Sequence, residues 1–247
     1  MIDYLIDFSW LMNHDPGDSL RVMHGMGWLK THLPEVHVLY GVPQRAEHHP
    51  EVDVGIHIEL CLTMAAQMNL SQRARFAVLV HDLGKGLTPE AEWPRHPNHE
   101  TRGQTPVQKV CTRFHVPDDW KELALLVCLR HLVCHKIFES QPRTVLDLLE
   151  AVGDMLPEFA AACEADARGR LGFAERAYPQ AKFLLQVRDL LEPWPSLGFN
   201  APTKDARIAQ NHRHHKRLTL VGQLQEHYRS EDPKYLGKEV ERTSSHA

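Results

Sequence analysis

Apolar residues recur along most of the chain at spacings of three and four, which is the period of an amphipathic α-helix. No stretch shows the convincing two-residue alternation of a half-buried strand. The pattern therefore predicts an all-α protein. Proline and glycine interrupt residues 34–54 and 86–104, which are predicted as loops. Helices are predicted at 19–33, 55–69, 72–84, from about 105, 120–135, 144–152, 157–167, 179–192 and 203–229.

Capping patterns mark several of these helix ends. Ser71 is the predicted N-cap of the helix at 72–84, which Gly84 and Gly86 are expected to end. Thr105-Pro-Val-Gln108 and Asp119-Trp-Lys-Glu122 each read as a capping box that opens a helix.

Two polar residues stand on otherwise apolar helix faces. In the helix at 55–69, the spacing of Ile56, Leu60, Met64 and Met68 predicts an apolar face, along which His57 should point. In the helix at 157–167, Asp166 shares a face with Phe159, Ala162 and Cys163. A lone buried carboxylate is costly, so such groups are usually paired or bound to metal.

Composition and charge set the broad class. The 247 residues are 43% hydrophobic and 24% charged, and suit one domain over 1–247. The net charge of −4 gives no global positive field for nucleic acid. There is no apolar run long enough for a membrane span and no basic leader, so a cytoplasmic protein is expected. The cysteines lack CxxC spacing, and Cys61, Cys111, Cys128 and Cys163 are predicted to be buried thiols.

The strongest chemical pattern is Arg75-Phe-Ala-Val-Leu-Val-His-Asp-Leu-Gly-Lys-Gly-Leu-Thr-Pro89, in which an apolar helix ends on adjacent His81 and Asp82. With His57 and Asp166, these residues make two imidazoles and two carboxylates, a predicted ligand set for one divalent cation. The mixed nitrogen and oxygen donors suit nickel, manganese, cobalt, iron or magnesium. Lys85 follows closely enough to lie near whatever that cation binds.

The order of these ligands resembles the HD superfamily of metal-dependent phosphohydrolases. The chain is more specifically similar, over about residues 20–192, to the C-terminal HD domain of the bacterial multifunctional CCA-adding enzymes (tRNA nucleotidyltransferases). The strings that carry the similarity are Tyr40-Gly-Val-Pro-Gln44, His49-Pro-Glu-Val-Asp-Val-Gly-Ile-His57, His81-Asp-Leu-Gly-Lys-Gly-Leu-Thr-Pro89, Trp93-Pro-Arg-His96, Glu164-Ala-Asp-Ala-Arg-Gly-Arg170 and Tyr178-Pro-Gln180.

The resemblance implies an HD-domain helical bundle with additional N- and C-terminal helices. Its core would span about 50–192, with an extension at 1–49 and a helix and tail at 193–247. It also implies 2′,3′-cyclic phosphodiesterase, 2′-nucleotidase and phosphatase activity. The motifs of that family's nucleotidyltransferase head are missing from this sequence, so addition of CCA is not expected.

Roles follow for individual residues. Asp82 would hold the cation and orient the attacking water, and Lys85, Arg168 and Arg170 would contact phosphate. Some HD enzymes use two further histidines for a second metal. His99 and His131 are the candidates for that role or for binding substrate, although His96, His115 and His135 compete. One cation is the preferred expectation, and two equivalents of metal per chain would exclude it.

Two other classes of function stay open. The basic segment 211–217 could contact RNA, which would make the chain an RNA- or tRNA-binding module with a vestigial site. A 5′-nucleotidase or alarmone hydrolase would use the same ligand set. The expected partners are therefore a nucleotide or cyclic phosphate, and RNA ends or tRNA. The apolar residues within 1–20 could pack on the domain or on a second chain, so the oligomeric state is open.

Overall fold

The computed structural model describes residues 8–191 and 204–231, with the side chains of 204–213 left outside. All regular elements in these ranges are helical, which confirms the all-α prediction, and a single antiparallel bridge joins Pro43 to Asp53. The α-helices are α1 Pro16–Gly25, α2 Trp28–His32, α3 Pro34–His37, α4 Val54–Gln67, α5 Gln72–Val80, α6 His99–Arg102, α7 Gln104–Arg113, α8 Asp118–His135, α9 Pro142–Val152, α10 Leu156–Arg168, α11 Pro179–Leu191 and α12 Lys204–Glu231. Short 3₁₀ helices lie at Phe8–Met12, Leu83–Leu87, Glu90–Glu92 and Gly153–Met155.

The chain divides into two compact units. The first spans Met1–His135 and Pro157–Tyr178, and the second spans Lys136–Leu156 and Pro179–Ala247. The predicted single domain and its boundaries remain a prediction. Among the described residues, no helix combines the length and the apolar character needed to cross a bilayer.

Helix α5 is the centre of the first unit and packs against α4 and α8. Every residue from Ala74 to Val80 is buried, as expected of a helix that neighbours surround on all sides. One of these residues is Arg75, whose guanidinium donates to the carbonyls of Leu70 and Leu11. The 3₁₀ helix Phe8–Met12 thereby packs on this core, where its Phe8 and Leu11 are buried. Residues 1–7 lie outside the described range.

The face predicted for α10 is confirmed, because Phe159, Ala162, Cys163 and Asp166 are all buried. The face predicted for α4 is wrong in part. His57 is fully buried, but Ile56 is 42% exposed. Helix α4 is apolar on most sides, so spacing alone does not identify its inward face.

The capping box predicted at Thr105–Gln108 is also wrong, because α7 begins at Gln104 with Gly103 as its N-cap. A Cβ on Gly103 would lie 2.6 Å from Cys128 Sγ, so glycine is required there by packing against α8. Asp119 lies inside the first turn of α8, which begins one residue earlier. The four cysteines predicted to be buried thiols are buried and free, as is Cys134.

The second unit packs α11 and α12 against α9. Phe138, Phe183 and Tyr228 form an aromatic cluster with ring centroids 5.1–5.5 Å apart. Gln225 of α12 donates to the carbonyls of Ile137 and Ser140 at 2.7 and 3.0 Å. The basic segment 211–217 lies on this helix, but the side chains of 211–213 are outside the described residues.

Candidate metal centre

Helix α5 delivers the adjacent pair His81 and Asp82. Ser71 caps the helix as predicted, since its side chain accepts from the amide of Ala74. The α-helix ends at Val80, earlier than the predicted residue 84, and His81 is its C-cap.

The backbone then continues into the 3₁₀ helix Leu83–Leu87, which carries Lys85. Gly84 lies inside this element and does not cap the α-helix. A Cβ on Gly84 would lie 1.9 Å from the carbonyl oxygen of His99. The absence of a side chain at Gly84 therefore allows α6, and with it His99, to approach Asp82.

Helices α4 and α10 bring His57 and Asp166 to the end of α5. His57 Nε2 lies 3.0 Å from Asp166 Oδ1, and His81 Nε2 lies 3.7 Å from Asp166 Oδ2. His57, His81 and Asp166 each offer a ligand atom, and these atoms all lie within 4.8 Å of one another. The three residues come from three separate helices or helix ends, as the sequence predicted. We call them the first group.

Asp82 lies between the first group and a second group of donors. Its Oδ2 is 3.3 Å from His81 Nε2 and 2.6 Å from Lys85 Nζ. Its Oδ1 is 3.3 Å from His99 Nε2 and 3.8 Å from His131 Nε2. Asp82, His99 and His131 also offer ligand atoms within 4.8 Å of one another, and we call these residues the second group.

Backbone carbonyls fix the tautomer of three of these imidazoles. His81 Nδ1 lies 2.8 Å from the carbonyl oxygen of Val78, and His99 Nδ1 lies 2.9 Å from that of His96. His131 Nδ1 lies 3.0 Å from the carbonyl oxygen of Val127. A carbonyl only accepts, so Nδ1 is the protonated nitrogen in each ring. Nε2 therefore presents a lone pair to the site whenever the ring is neutral.

Both aspartates are ionised despite their burial. Burial by itself would raise the pKa of Asp82, but the charges of Lys85 and His81 outweigh it and hold that pKa well below its ordinary value. For Asp166, burial is likewise outweighed by the charges of His135 and His81, which lower the pKa. Two carboxylates thus carry negative charge in a site that is almost closed to solvent.

The imidazoles differ in their affinity for a proton. Burial lowers the pKa of His131 to about 3, so this ring is neutral at physiological pH. Burial also acts to lower the pKa of His81, but the charges of Asp82 and Asp166 raise it to about 9. Without a metal ion, His81 therefore carries a proton at neutral pH, which a cation would replace.

Two buried atoms test whether the site suits a cation. His81 Nε2 and Asp82 Oδ1 have no hydrogen-bond partner within the described parts of the chain. A buried polar atom that is left without a hydrogen-bond partner costs about 1–3 kcal/mol. Both atoms face other candidate ligand atoms of the two groups, and a bound cation would give each of them a partner. The residues present therefore fit a divalent metal ion with nitrogen and oxygen ligands.

The predicted phosphate contacts occupy different positions. Lys85 is buried, and its Nζ donates to Gln44 Oε1 at 2.9 Å as well as pairing with Asp82. Arg170 reaches the edge of the first group, where its Nη2 lies 3.9 Å from Asp166 Oδ1. Arg168 is engaged elsewhere, because it donates to Glu164 and to the carbonyl of Ala174.

Of the three histidines that compete with His99 and His131, only one contacts the first group. His96 Nε2 lies 2.7 Å from the carbonyl oxygen of Pro43, and His115 is exposed. His135 contacts the first group directly, with Nε2 2.6 Å from Asp166 Oδ2 and Nδ1 2.9 Å from the hydroxyl of Tyr178. His135 was not among the predicted site residues, although it was named as a competitor of His99 and His131. Its position one turn after His131 on α8 was the available sign.

Cys61 places a sulfur atom beside one of the candidate ligands. Its Sγ lies 3.4 Å from His57 Nε2, one turn along α4. Burial and the nearby charge of Asp166 raise the pKa of this thiol well above its ordinary value. Cys61 is therefore protonated and packs beneath the imidazole, which agrees with a site built from nitrogen and oxygen donors.

Comparison with known proteins agrees with the motif pattern. The chain is 49% identical over 179 residues to the multifunctional CCA protein of Pseudomonas syringae, a match that covers 70% of this chain and 44% of that relative. It is 47% identical over 187 residues to the multifunctional CCA protein of Acinetobacter baumannii, covering 73% and 45% of the two chains. The chain is homologous to a part of the multifunctional CCA proteins.

This homology confirms the resemblance inferred from the motifs. No family model matches the chain. The chain spans less than half the length of the multifunctional CCA proteins that it matches. The activity of those whole proteins is therefore not transferred to this chain without further argument.

Proposed function

We propose that this chain is a metal-dependent HD phosphohydrolase that acts on 2′,3′-cyclic phosphates or nucleoside phosphates. The observation that supports it best is a buried cluster of Asp82, Asp166, His57 and His81. Two polar atoms of this cluster have no hydrogen-bond partner among the residues that the structure describes. Homology to part of the multifunctional CCA proteins supports the same class.

The metal would be held by His57, His81, Asp82 and Asp166. Nickel, manganese, cobalt, iron and magnesium all suit this donor set, and the residues do not select among them. A divalent cation bound there would lower the pKa of a water molecule and would polarise a phosphoryl oxygen. Holding four such residues in place before the cation binds reduces the cost of assembling the site.

The chain's own residues would perform the remaining work. Asp82 is ionised and can accept a hydrogen bond from the attacking water, which orients it. Lys85 Nζ can stabilise negative charge on the phosphate, and Gln44 and Asp82 hold that ammonium group in position. Arg170 lies near Asp166 and can provide a planar pair of donors for phosphate oxygens.

The second group bears on how many cations bind. The Nε2 atoms of His99 and His131 lie 3.4 Å apart and both face Asp82 Oδ1. With Nδ1 protonated, these nitrogens present lone pairs, which suit a cation better than a phosphate oxygen. This supports a second cation beside the single ion that was expected, with substrate binding by His99 and His131 as the alternative.

The direct test is hydrolysis of 2′,3′-cyclic AMP by the chelator-treated protein after addition of nickel, manganese, cobalt or magnesium. Activity should require a metal and should be lost in Asp82→Ala. Asp147→Ala is the matched control, because Asp147 is exposed and pairs only with Arg143 among its described contacts. Full metal-dependent activity in Asp82→Ala would contradict the proposal.

Substrate profiling would distinguish the related reactions. Nucleoside 5′-monophosphates, alarmones and RNA with a 2′,3′-cyclic end should be compared with the free cyclic nucleotide. If turnover is absent for all of them while tRNA shifts in a gel at low salt, the chain is an RNA-binding module. That binding should weaken steeply as salt is raised.

A further inference from the structure

The loop before α4 places two polar side chains behind the first group. Its backbone is fixed by the bridge between Pro43 and Asp53, with the amide of Gln44 donating to the carbonyl of Val52 at 2.6 Å. Gln44 and Glu51 thereby face inward, and the Glu51 side chain is only 2% exposed. Neither residue has a role in the function proposed above beyond the contact of Gln44 with Lys85.

Glu51 makes a direct contact with His57. Its Oε1 lies 3.0 Å from His57 Nδ1 and 3.0 Å from His49 Nδ1. Its Oε2 accepts from the backbone amide of Leu171 at 3.2 Å. The carboxylate is therefore held at both oxygens, and it faces the ring nitrogen of His57 that points away from Asp166.

His57 differs in this respect from the other candidate ligands. The Nδ1 atoms of His81, His99 and His131 are held by backbone carbonyls of residues three or four positions before them. His57 Nδ1 instead faces a side-chain carboxylate from a separate segment. A carboxylate brings a full negative charge, and Glu51 lies before α4, which begins at Val54.

We propose that Glu51 is a positioning residue that holds His57 in the tautomer protonated at Nδ1 and directs its Nε2 lone pair toward the cation. This inference rests on the proposed metal site. The Nδ1–H donates to Glu51 Oε1, which fixes the ring plane. The negative charge also makes Nε2 a better electron-pair donor, as carboxylate partners of metal-binding histidines do.

Gln44 connects this contact to the other side of the site. Its Nε2 lies 3.4 Å from Glu51 Oε1, and its Oε1 accepts from Lys85 Nζ at 2.9 Å. The loop thus positions both the ligand His57 and the ammonium of Lys85. This arrangement gives a physical reason for Gln44 and Glu51 in the two strings 40–44 and 49–57.

The test is calorimetric titration of the chelator-treated full chain with Co²⁺, without substrate. We expect Glu51→Ala to weaken Co²⁺ binding about 10–100-fold. Glu51→Gln should weaken it less, because an amide oxygen still accepts from Nδ1. Glu59→Ala is the matched control, since Glu59 lies two residues beyond His57 on α4 but bonds to Tyr40. Its Co²⁺ affinity should equal that of the wild type.

A spectroscopic measurement separates positioning from a general loss of structure. In the Co²⁺-loaded protein, the paramagnetically shifted Nδ1–H of His57 should exchange slowly in the wild type and be lost in Glu51→Ala. Urea denaturation confirms that each variant is folded. Wild-type affinity in Glu51→Ala would overturn this inference alone, whereas a wild type that binds no Co²⁺ would overturn the proposed function as well.

Discussion

Raising the pH from 6 to 8 should destabilise the metal-free protein through His81. The pKa of this residue, lowered by burial but raised further by Asp82 and Asp166, is about 9, against 6.5 for an ordinary imidazole. When a group has a higher pKa in the folded state, the stability that it contributes is fully present at pH values below its pKa in the unfolded chain. That stability is lost as the pH rises toward the pKa of the folded state, so the decline falls between about pH 6.5 and 9.

The magnitude follows from the two pKa values. The change from 6.5 to about 9 corresponds in full to about 3 kcal/mol of unfolding free energy. About 2 kcal/mol of this should be lost between pH 6 and pH 8. Stopping at pH 8 avoids most of the titration of unfolded cysteines, which have pKa values of about 8.5.

Urea denaturation of the chelator-treated protein at the two pH values measures this loss, with His81→Gln as the comparison. Burial lowers the pKa values of His49 and His131 to about 3, which favours folding as the pH rises. The contributions of His49 and His131 are present in the wild type and in the variant. The difference between the two proteins in their change of unfolding free energy from pH 6 to 8 therefore reports on His81. Equal changes in stability between pH 6 and 8 in the two proteins would refute the reasoning.

Three further predictions concern packing and charge. Gly84→Ala should destabilise the protein by about 3 kcal/mol in urea denaturation, because its Cβ would meet the carbonyl of His99 at 1.9 Å. Gly25→Ala, with nothing within 4 Å of its Cβ, should cost nothing, and equal effects would contradict the packing argument. Phe159→Ala should cost about 3–5 kcal/mol in the same assay, since the ring is fully buried, and a loss under 1 kcal/mol would contradict it. Lys85→Met should lower kcat/KM for 2′,3′-cyclic AMP about 100-fold if its ammonium stabilises phosphate charge, and an unchanged value would remove that role.

Most of the helices, and the burial of the candidate ligands Asp166 and His57, could be predicted because their determinants are local. The spacing of Phe159, Ala162 and Cys163 defines the buried face of α10, and Asp166 lies on that face. Ser71 caps α5 through contacts within four residues of itself. Periodicity and capping therefore placed a carboxylate in the core and an HD pair at a helix end, without any knowledge of how the helices pack.

The parts that could not be predicted depend on contacts between distant segments. Gly84 resembles a helix-ending glycine, yet the backbone of His99 requires it. His135 contacts Asp166 across 31 residues of sequence. Its spacing of four from His131 places both on one face of α8, but that spacing alone does not reveal the contact with α10. In α4, apolar residues surround the helix, so the exposure of Ile56 is decided by which neighbours pack against it.

In the proposed site, the number of cations would depend on Asp82. Its Oδ2 already pairs with Lys85, whereas its buried Oδ1 faces the Nε2 lone pairs of His99 and His131. If one cation bound in the first group, Asp82 Oδ1 would still lie beside two other acceptors, the Nε2 atoms of His99 and His131. A second cation, or a hydrogen-bond donor from the substrate, would remove the repulsion among these lone pairs. Measuring the metal content of the wild type and of His131→Ala distinguishes a second cation from substrate binding. A fall from two equivalents of metal to one would make His131 a metal ligand. One equivalent in both proteins would exclude the second cation and leave substrate binding as the role proposed for His131.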